Sequence, residues 1–359
     1  MGVRISTVLG VHVWLAFCAY AAPRWNIQFL YDHADSNFSI QDLECPTAKH
    51  CVAAGWIDDK KGHEQGAVVV SSDAGQHWSQ YETKERPISL FFLNDGLGWM
   101  VTDRGLWSTV EGGRSWTKIQ ARKGILATWF LDAGHGYMIG VKGLVEETAD
   151  GGKTWAKIAA ADKVPDAQSV TYGIVTFRGP HGIIIGGPSP SEPAFSDVAP
   201  RSPGRAKMAV LETLDGGQKW TAGTISMDGE LAQLKISGQG FVVSLVQYND
   251  PKIKVGSAVY KTPLGSRDGS VIFAERDRMV TDFALLDDHA VVATIEPPGD
   301  SAQVPIPGKL RILRSDNLKI WEEMDVDYRA VAQHAIIAAP DTQNMWVATD
   351  TGAILKLVE

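Results

Sequence analysis

Five segments of the chain repeat a pattern of side chains that could carry acid–base chemistry. Each follows, with decreasing fidelity in the last copy, the form Ser/Thr-x-Asp-x-Gly-x-x-Trp, and the segments end at Trp78, Trp116, Trp155, Trp220 and Trp321. Their acidic residues are Asp73, Glu111, Asp150, Asp215 and Asp316. Two carboxyl groups about 5–10 Å apart are what a glycosidase uses to cleave a sugar linkage. The repeated acids could therefore be either catalytic residues or structural residues that stabilise turns.

The residue types in the repeat favour the fold. An Asp side chain accepts backbone N–H bonds within a turn, and Gly supplies the positive φ of a tight reversal. The Trp carries a large apolar surface back over a sheet. The glycines are Gly75, Gly113, Gly152 and Gly217, with Leu318 in the fifth copy. We interpret each segment as a self-contained hairpin turn whose acid is not catalytic.

Other patterns that could carry chemistry are weak. No Gly-x-Ser-x-Gly, His-Glu-x-x-His or phosphate-binding glycine loop is present. The nine histidines have no ligand spacing, so the sequence predicts no metal site and no cofactor. The acidic pairs Asp58-Asp59 and Asp287-Asp288 lie in predicted loops, where they fit solvated turns better than a cleft. No catalytic residue is assigned.

Short antiparallel strands must position the turns. Alternating apolar and polar residues, aromatic and β-branched side chains, and Gly/Asp breaks predict strands on the N-terminal side of each turn. They lie within 88–96, 98–109, 126–134, 135–148, 170–179 and 181–187. No segment beyond the N-terminal leader has a helical period. The sequence therefore predicts an all-β fold.

The spacing of the turns predicts the architecture. Successive distances of 38 and 39 residues from Trp78 to Trp116 to Trp155 fit one four-stranded propeller blade of about 40–50 residues. The longer interval to Trp220 contains a Pro-rich insertion at 188–206. The next interval fits two blades, the first of them weakly marked.

The chain ends in three strands without a fourth. Segment 335–359 supplies these three, and a strand at 24–32 stands alone after the leader. We predict that this N-terminal strand closes the ring and removes exposed sheet edges. Residues 22–359 are thus expected to form a single β-propeller domain of seven four-stranded blades, with six or eight as alternatives.

The repeated turn resembles the Asp-box, or bacterial neuraminidase repeat, of sialidases, sortilin-type receptors, xyloglucan-degrading glucanases and the photosystem II assembly factor family. The phrase GWMVTDRGLWSTVEGGRSW and its later copies are most similar to the photosystem II assembly and stability factor group. The resemblance covers essentially the whole mature chain at the level of the repeat. It implies a non-catalytic assembly scaffold that binds another protein or a membrane-associated complex.

The alternative implied by the same repeat is a carbohydrate-active hydrolase, sialidase- or glucanase-like, with an acidic cleft at the propeller mouth and a glycan ligand. The Arg-Ile-Pro signature of sialidases is missing. Exposed tryptophans at the channel mouth would favour this alternative. The candidates are Trp56, Trp99, Trp107, Trp129 and Trp346.

The N-terminus predicts export. Arg4 precedes a long apolar run that ends in Ala19-Tyr20-Ala21, so residues 1–21 fit a secretory signal peptide, with an uncleaved anchor as the alternative. The mature protein would be periplasmic or secreted. In that compartment Cys45 and Cys51, with five residues between them around a turn, are expected to form a disulfide.

The distribution of charge argues against a nucleic-acid partner and indicates a possible binding surface near the insertion. The net charge is −8 and no Lys/Arg run stands out, so a nucleic-acid partner is not expected. A local basic group surrounds the insertion. Its members are Arg178, Arg201, Arg205 and Lys207. Because loops on rigid scaffolds often carry function, these residues are predicted to contact a partner, the alternative being an insertion without a role.

Overall fold

The computed structural model describes residues 23–188, 205–248, 253, 255–266, 268–276, 278–296, 308–327 and 329–358. These residues form six four-stranded sheets and one five-stranded sheet, almost entirely antiparallel, with two short 3-10 helices, Ala159–Lys163 and Ala167–Ser169. The predicted signal peptide lies outside the described residues, as do residues 189–204 of the predicted insertion. Within the described part, no helix combines the length and the apolar character needed to cross a bilayer.

The first strand, β1 (Arg24–Leu30), precedes three regular blades. Blade I comprises β2 (Ser36–Glu44), β3 (Cys51–Asp59), β4 (Glu64–Ser71) and β5 (Ser79–Thr83). Blade II comprises β6 (Pro87–Phe92), β7 (Gly98–Thr102), β8 (Gly105–Thr109) and β9 (Thr117–Ala121). Blade III comprises β10 (Ile125–Phe130), β11 (Gly136–Gly140), β12 (Val145–Thr148) and β13 (Ala156–Lys157).

Three further blades follow in the same pattern. Blade IV comprises β14 (Val170–Arg178), β15 (His181–Pro188), β16 (Arg205–Thr213) and β17 (Thr221–Asp228). Blade V, the weakly marked unit, comprises β18 (Glu230–Ile236), β19 (Phe241–Gln247), β20 (Ser257–Pro263) and β21 (Ser270–Phe273). Blade VI comprises β22 (Met279–Leu286), β23 (His289–Ile295), β24 (Leu310–Ser315) and β25 (Glu322–Glu323).

The two ends of the chain share blade VII. It contains β27 (Ala335–Ala338), β28 (Trp346–Thr349) and β29 (Ala353–Val358), and β1 pairs antiparallel with β29. The short strand β26 (Asp325–Val326) then pairs with the outer edge of β1. The predicted seven-bladed propeller, closed by its N-terminal strand, is confirmed.

Packing between blades completes the ring. Each of the seven junctions between adjacent blades holds its own cluster of buried apolar side chains, including the junction of blades VII and I, where Trp346 packs with Phe38. Alternation along each strand places apolar residues on both faces of a blade, because every blade lies between two others.

The antiparallel order of strands gives the ring two distinct ends. The turns between the third and fourth strand of a blade, which include the repeated Asp-containing turns, lie at one end, here called the box end. The turns between the second and third strand, and the links from one blade to the next, lie at the other end, here called the link end.

Candidate functional site

The repeated acids form hydrogen bonds within their own turns. In blade III the Thr148 hydroxyl accepts the N–H of Gly152 at 2.9 Å and donates to the Asp150 carboxylate at 2.9 Å. Asp150 also accepts from the hydroxyl and N–H of Thr154, at 2.6 and 2.9 Å. These bonds, the hydroxyl of Thr154 first, lower the pKa of Asp150 to about 2. The acid is therefore ionised and occupied by its turn.

The same geometry recurs in the other complete turns. The N–H groups of Gly75, Gly113 and Gly217 donate to the hydroxyl four residues earlier, at 2.9, 3.1 and 2.9 Å. The backbone N–H of His77, followed by its side chain, lowers the pKa of Asp73 to about 2. An ionised carboxylate that accepts local N–H bonds cannot act as a general acid, so these residues hold turns.

The fifth turn corrects one assignment. Ser315 pairs with Asn317, whose side-chain oxygen accepts the N–H groups of Lys319 and Ile320 at 2.9 Å. Asn317 thus takes the role that the sequence pattern gave to Asp316, which instead accepts a bond from Arg314. The turn is one residue shorter than the others, and aligning the tryptophans hid this deletion.

A second set of polar residues joins neighbouring blades near the centre of the ring. The innermost strands of blades I to VI each contain a β-bulge. Directly after it, Asp42 and Asp282 accept N–H bonds from the next blade at 2.7 Å, from Leu90 and Ile337. Gln233 accepts the Phe283 N–H in the same way at 3.3 Å. These side chains therefore hold blades in register.

The central carboxyl groups are strongly perturbed. Burial raises the pKa of Asp42 to about 6 and that of Glu44 to about 8, and it also raises the pKa of Asp282. The charge of Lys235 in blade V acts on all three carboxyls and opposes this effect. Groups on blades I, V and VI interact in this way because their strands surround the same central space.

Sequence reasoning missed these central residues. Asp282 stands within an apolar strand, MVTDFALL, and a charge at such a position is a signal for a buried polar contact. Its partner lies 55 residues away, so the sequence alone does not name it.

The tryptophans do not form an exposed platform among the described residues. Trp99 and Trp346 are at most 1% exposed and Trp107 is 8% exposed, in the cores between blades. Trp129 packs against Phe91, with ring centroids 5.1 Å apart. Trp56 is covered by a guanidinium group, that of Arg86, 3.3 Å from its ring centroid.

Two members of the predicted basic group, Arg178 and Lys207, lie at opposite ends of blade IV. Arg178 ends β14 at the box end and pairs with Asp287 at 2.7 Å. Lys207 is exposed near the start of β16, at the link end, and pairs in register with Ser226. These two residues are separated along the blade because β14 to β16 run antiparallel. Arg201 and the Arg205 side chain lie outside the described residues.

Two pockets open at the link end, between blades I and II and beside blade III. The first has a volume of about 340 Å³, and its lining includes Gln41, Trp56, Glu64, Lys84, Glu85, Arg86, Asp103 and Arg104. The second has a volume of about 310 Å³, and its lining includes Arg122, Lys123, Lys142, Glu146, Lys157 and Gln168. About half of the residues that line each pocket are charged.

The acids of these pockets are already paired. Glu85 accepts from Thr102, Trp107 and Lys118 at 2.6, 2.8 and 2.6 Å. Burial alone would raise the pKa of Glu85, but these bonds lower it. Glu146 pairs with Arg122 at 2.5 Å. The arrangement offers cationic and amide groups to a ligand, rather than free carboxylates. Among the described residues, no group of His, Cys, Asp and Glu is placed to hold a metal ion.

The ring and its hydroxyl–carboxylate turns define the class: an Asp-box β-propeller. The family model described as photosynthesis system II assembly factor YCF48 matches residues 114–190. A search of curated proteins finds no significant match.

Solved structures share the fold over nearly the whole chain. A structure of YCF48 bound to a D1 peptide is 16% identical, with a TM-score of 0.61, over 95% of this chain and 98% of that one. YCF48 from Cyanidioschyzon merolae is 17% identical, with a TM-score of 0.59, over 94% and 98%. The GH74 xyloglucanase from Xanthomonas campestris is 13% identical, with a TM-score of 0.51, over 87% of this chain and 57% of that chain.

Proposed function

We propose that this protein is a non-catalytic, exported scaffold that binds a polypeptide during the assembly of a larger complex. The observation that carries the proposal is that the carboxylates of the box turns and of the ring centre accept structural hydrogen bonds. The acids of the box turns hold turns, and Asp42 and Asp282 hold neighbouring blades. The open pockets at the link end instead present cations and amides, which suit binding.

The similarities support the same function. The family model that matches residues 114–190 describes an assembly factor, and one structure with the same fold was solved with a peptide of D1. The partner of this chain is accordingly proposed to be a protein, alone or within a membrane-associated complex.

Export is part of the proposal. Residues 1–21 have the features of a signal peptide. A bond joins Cys45 and Cys51 in the structure, and structural disulfides persist in oxidising compartments. Both observations favour a periplasmic or secreted protein.

The hydrolase alternative has weaker support. The GH74 neighbour shares the fold, but hydrolysis requires two free carboxyl groups flanking the bond to be cleaved. Of the three central carboxyls, Asp42 and Asp282 each accept two backbone N–H bonds.

Affinity purification from the native host tests the proposal. The tagged full-length protein, expressed at its native level and cross-linked before lysis, is expected to recover a defined polypeptide, while the tag alone recovers none. Release of reducing sugars from xyloglucan by the purified protein, lost in Asp42→Asn and with no co-purifying polypeptide, would overturn it.

A further inference from the structure

Positive charge is concentrated along one stretch of the link end. We call this stretch the basic rim, and it consists of loops 84–87, 103–104, 121–124 and 141–143. These loops contain six Lys or Arg residues and two acids, in a chain whose net charge is −8. The rim is therefore opposite in sign to the protein as a whole.

The four loops are physically continuous. The N–H of Asp103 donates to the carbonyl of Arg86 at 3.0 Å, which joins the first loop to the second. Gly105 and Ala121 are paired strand residues, which joins the second to the third. The N–H of Val141 donates to a carbonyl of the third loop at 2.9 Å. The rim thus follows blades I to III without a break.

The two acids of the rim are neutralised internally. Glu85 is bound by Lys118, and Asp103 accepts the N–H of Arg86 at 3.2 Å and lies 3.4 Å from Nε of Arg104. Of the cations, Arg86 and Arg122 pair with Glu64 and Glu146 outside the rim. The Arg104 side chain is 65% exposed, and its ion pair with Asp103 is made through Nε.

Three lysines extend the free positive charge along the rim. Lys84, Lys123 and Lys142 are exposed, and none of them makes an ion pair with another described residue. They belong to three of the four loops, the first, third and fourth, so their ammonium groups are spread along the rim rather than gathered at a point. A spread of this kind suits an extended chain better than a small anion.

A planar surface, formed by two stacked side chains, lies at one end of the basic rim. The Arg86 guanidinium stacks on the Trp56 ring, at 3.3 Å from the centroid, and is held by Glu64 at 3.1 Å. The exposed amide of Gln41 lies in the same pocket. A stacked planar surface beside an amide can contact peptide planes and donate to their carbonyls.

We propose that the basic rim binds an acidic, extended segment of the protein partner. Its Asp or Glu side chains would pair with Arg104 and with the three lysines, while its backbone lies against Trp56 and Arg86. The inference rests on the proposed function and names the chemistry of the partner. Binding of this type is steered by charge and weakened by salt.

Fluorescence anisotropy tests the inference with the full-length protein. The probe is a labelled peptide of alternating Glu and Ser, and the matched peptide has Gln in place of Glu. We expect binding of the Glu peptide only, reversed by salt. The triple variant Lys84→Glu, Lys123→Glu, Lys142→Glu should weaken it at least about tenfold.

The matched control reverses three exposed lysines at the box end. Lys153→Glu, Lys219→Glu, Lys319→Glu changes the net charge equally and should retain affinity within about twofold. Equal losses in both variants would show attraction to net charge only and overturn the inference. So would binding of the Gln peptide, or retention on phosphatidylglycerol vesicles without peptide binding.

Native purification separates this inference from the proposed function. A partner recovered by wild type and lost with the rim variant supports both. A partner recovered equally by both proteins leaves the scaffold in place and removes the rim as its site, whereas recovery of no partner by either removes the scaffold function itself.

Discussion

At the scale of single residues, the environment divides the carboxylates into two populations. Asp73 and Asp150 accept hydrogen bonds in exposed turns, and these bonds lower the pKa of each to about 2. Asp42 and Glu44 lie near the ring centre, where burial disfavours charge and raises their pKa values to about 6 and 8. Asp73 and Asp150 of the repeat thus have lowered pKa values, and the acids with raised pKa values lie outside the repeat.

Glu44 gives stability a dependence on pH. Its folded-state pKa of about 8 lies above the ordinary 4.5, so the protonated form stabilises the fold at low pH, and this stabilisation is lost as the pH rises to about 8. Glu44→Gln stays neutral throughout. We expect equal Tm values for variant and wild type near pH ~4, and a variant more stable by roughly several degrees above pH ~8.

Thermal unfolding followed by circular dichroism across this range measures the effect. Glu82→Gln, at an exposed position of β5, is the matched control and should show no divergence with pH. Parallel Tm curves for Glu44→Gln and wild type would show that Glu44 is not stabilised in its protonated form.

At the scale of elements, one hairpin connects two blades. The disulfide between Cys45 and Cys51 closes the turn between β2 and β3, with a sequence separation of 6. Next to it, buried His50 donates from Nε2 to the carbonyl of Gly112 in the box turn of blade II, at 3.1 Å. Burial lowers the pKa of His50, and the bond to Gly112 opposes this shift.

Removing the disulfide should cost moderate stability. For a loop this short, the loss of chain constraint predicts that Cys45→Ala, Cys51→Ala is less stable by about 2 kcal/mol. Urea unfolding measures the change, and reduced wild type should lose a similar amount. Alkylation of both thiols by iodoacetamide in the denatured, non-reduced protein would show that the bond is absent.

Contacts within one element could be predicted from the sequence, whereas contacts between two blades could not. The box turns follow from local side chain–backbone bonds, such as Thr148 to Gly152, so a short pattern suffices to find them. The contact of Asp282 with Ile337 depends on two blades meeting, and no local pattern encodes it. Arg178 and Lys207 are close in sequence to the insertion, but strand direction places them at opposite ends of blade IV. The rim was missed because its loops come from three blades.

At the scale of the whole molecule, closure depends on chain ends that meet in one sheet. Each junction between blades has its own buried cluster, so no single core holds the fold. Blade VII would present the open edge of β29 if β1 were absent, because β1 pairs along it from Arg24 to Leu30. The first described strand therefore couples the stability of blade VII to that of the ring.

Trp25 should contribute much of the stability that β1 gives to blade VII and to the ring. It is 1% exposed, packs in the cluster between blades VI and VII, and donates from Nε1 toward the sulfur of Met324. Trp25→Ala is expected to destabilise the protein by about 3–5 kcal/mol, from lost burial and the cavity left behind. Leu30→Ala, 46% exposed on the same strand, should cost far less.

Denaturant unfolding of both variants, with tryptophan fluorescence and far-UV circular dichroism as separate probes, measures closure directly. If β1 closes the ring, Trp25→Ala lowers the midpoint for both probes together, because an opened blade VII exposes its neighbours. Deletion of residues 24–32 should lower it further. An unchanged midpoint after that deletion would mean that the other six junctions hold the ring without the N-terminal strand.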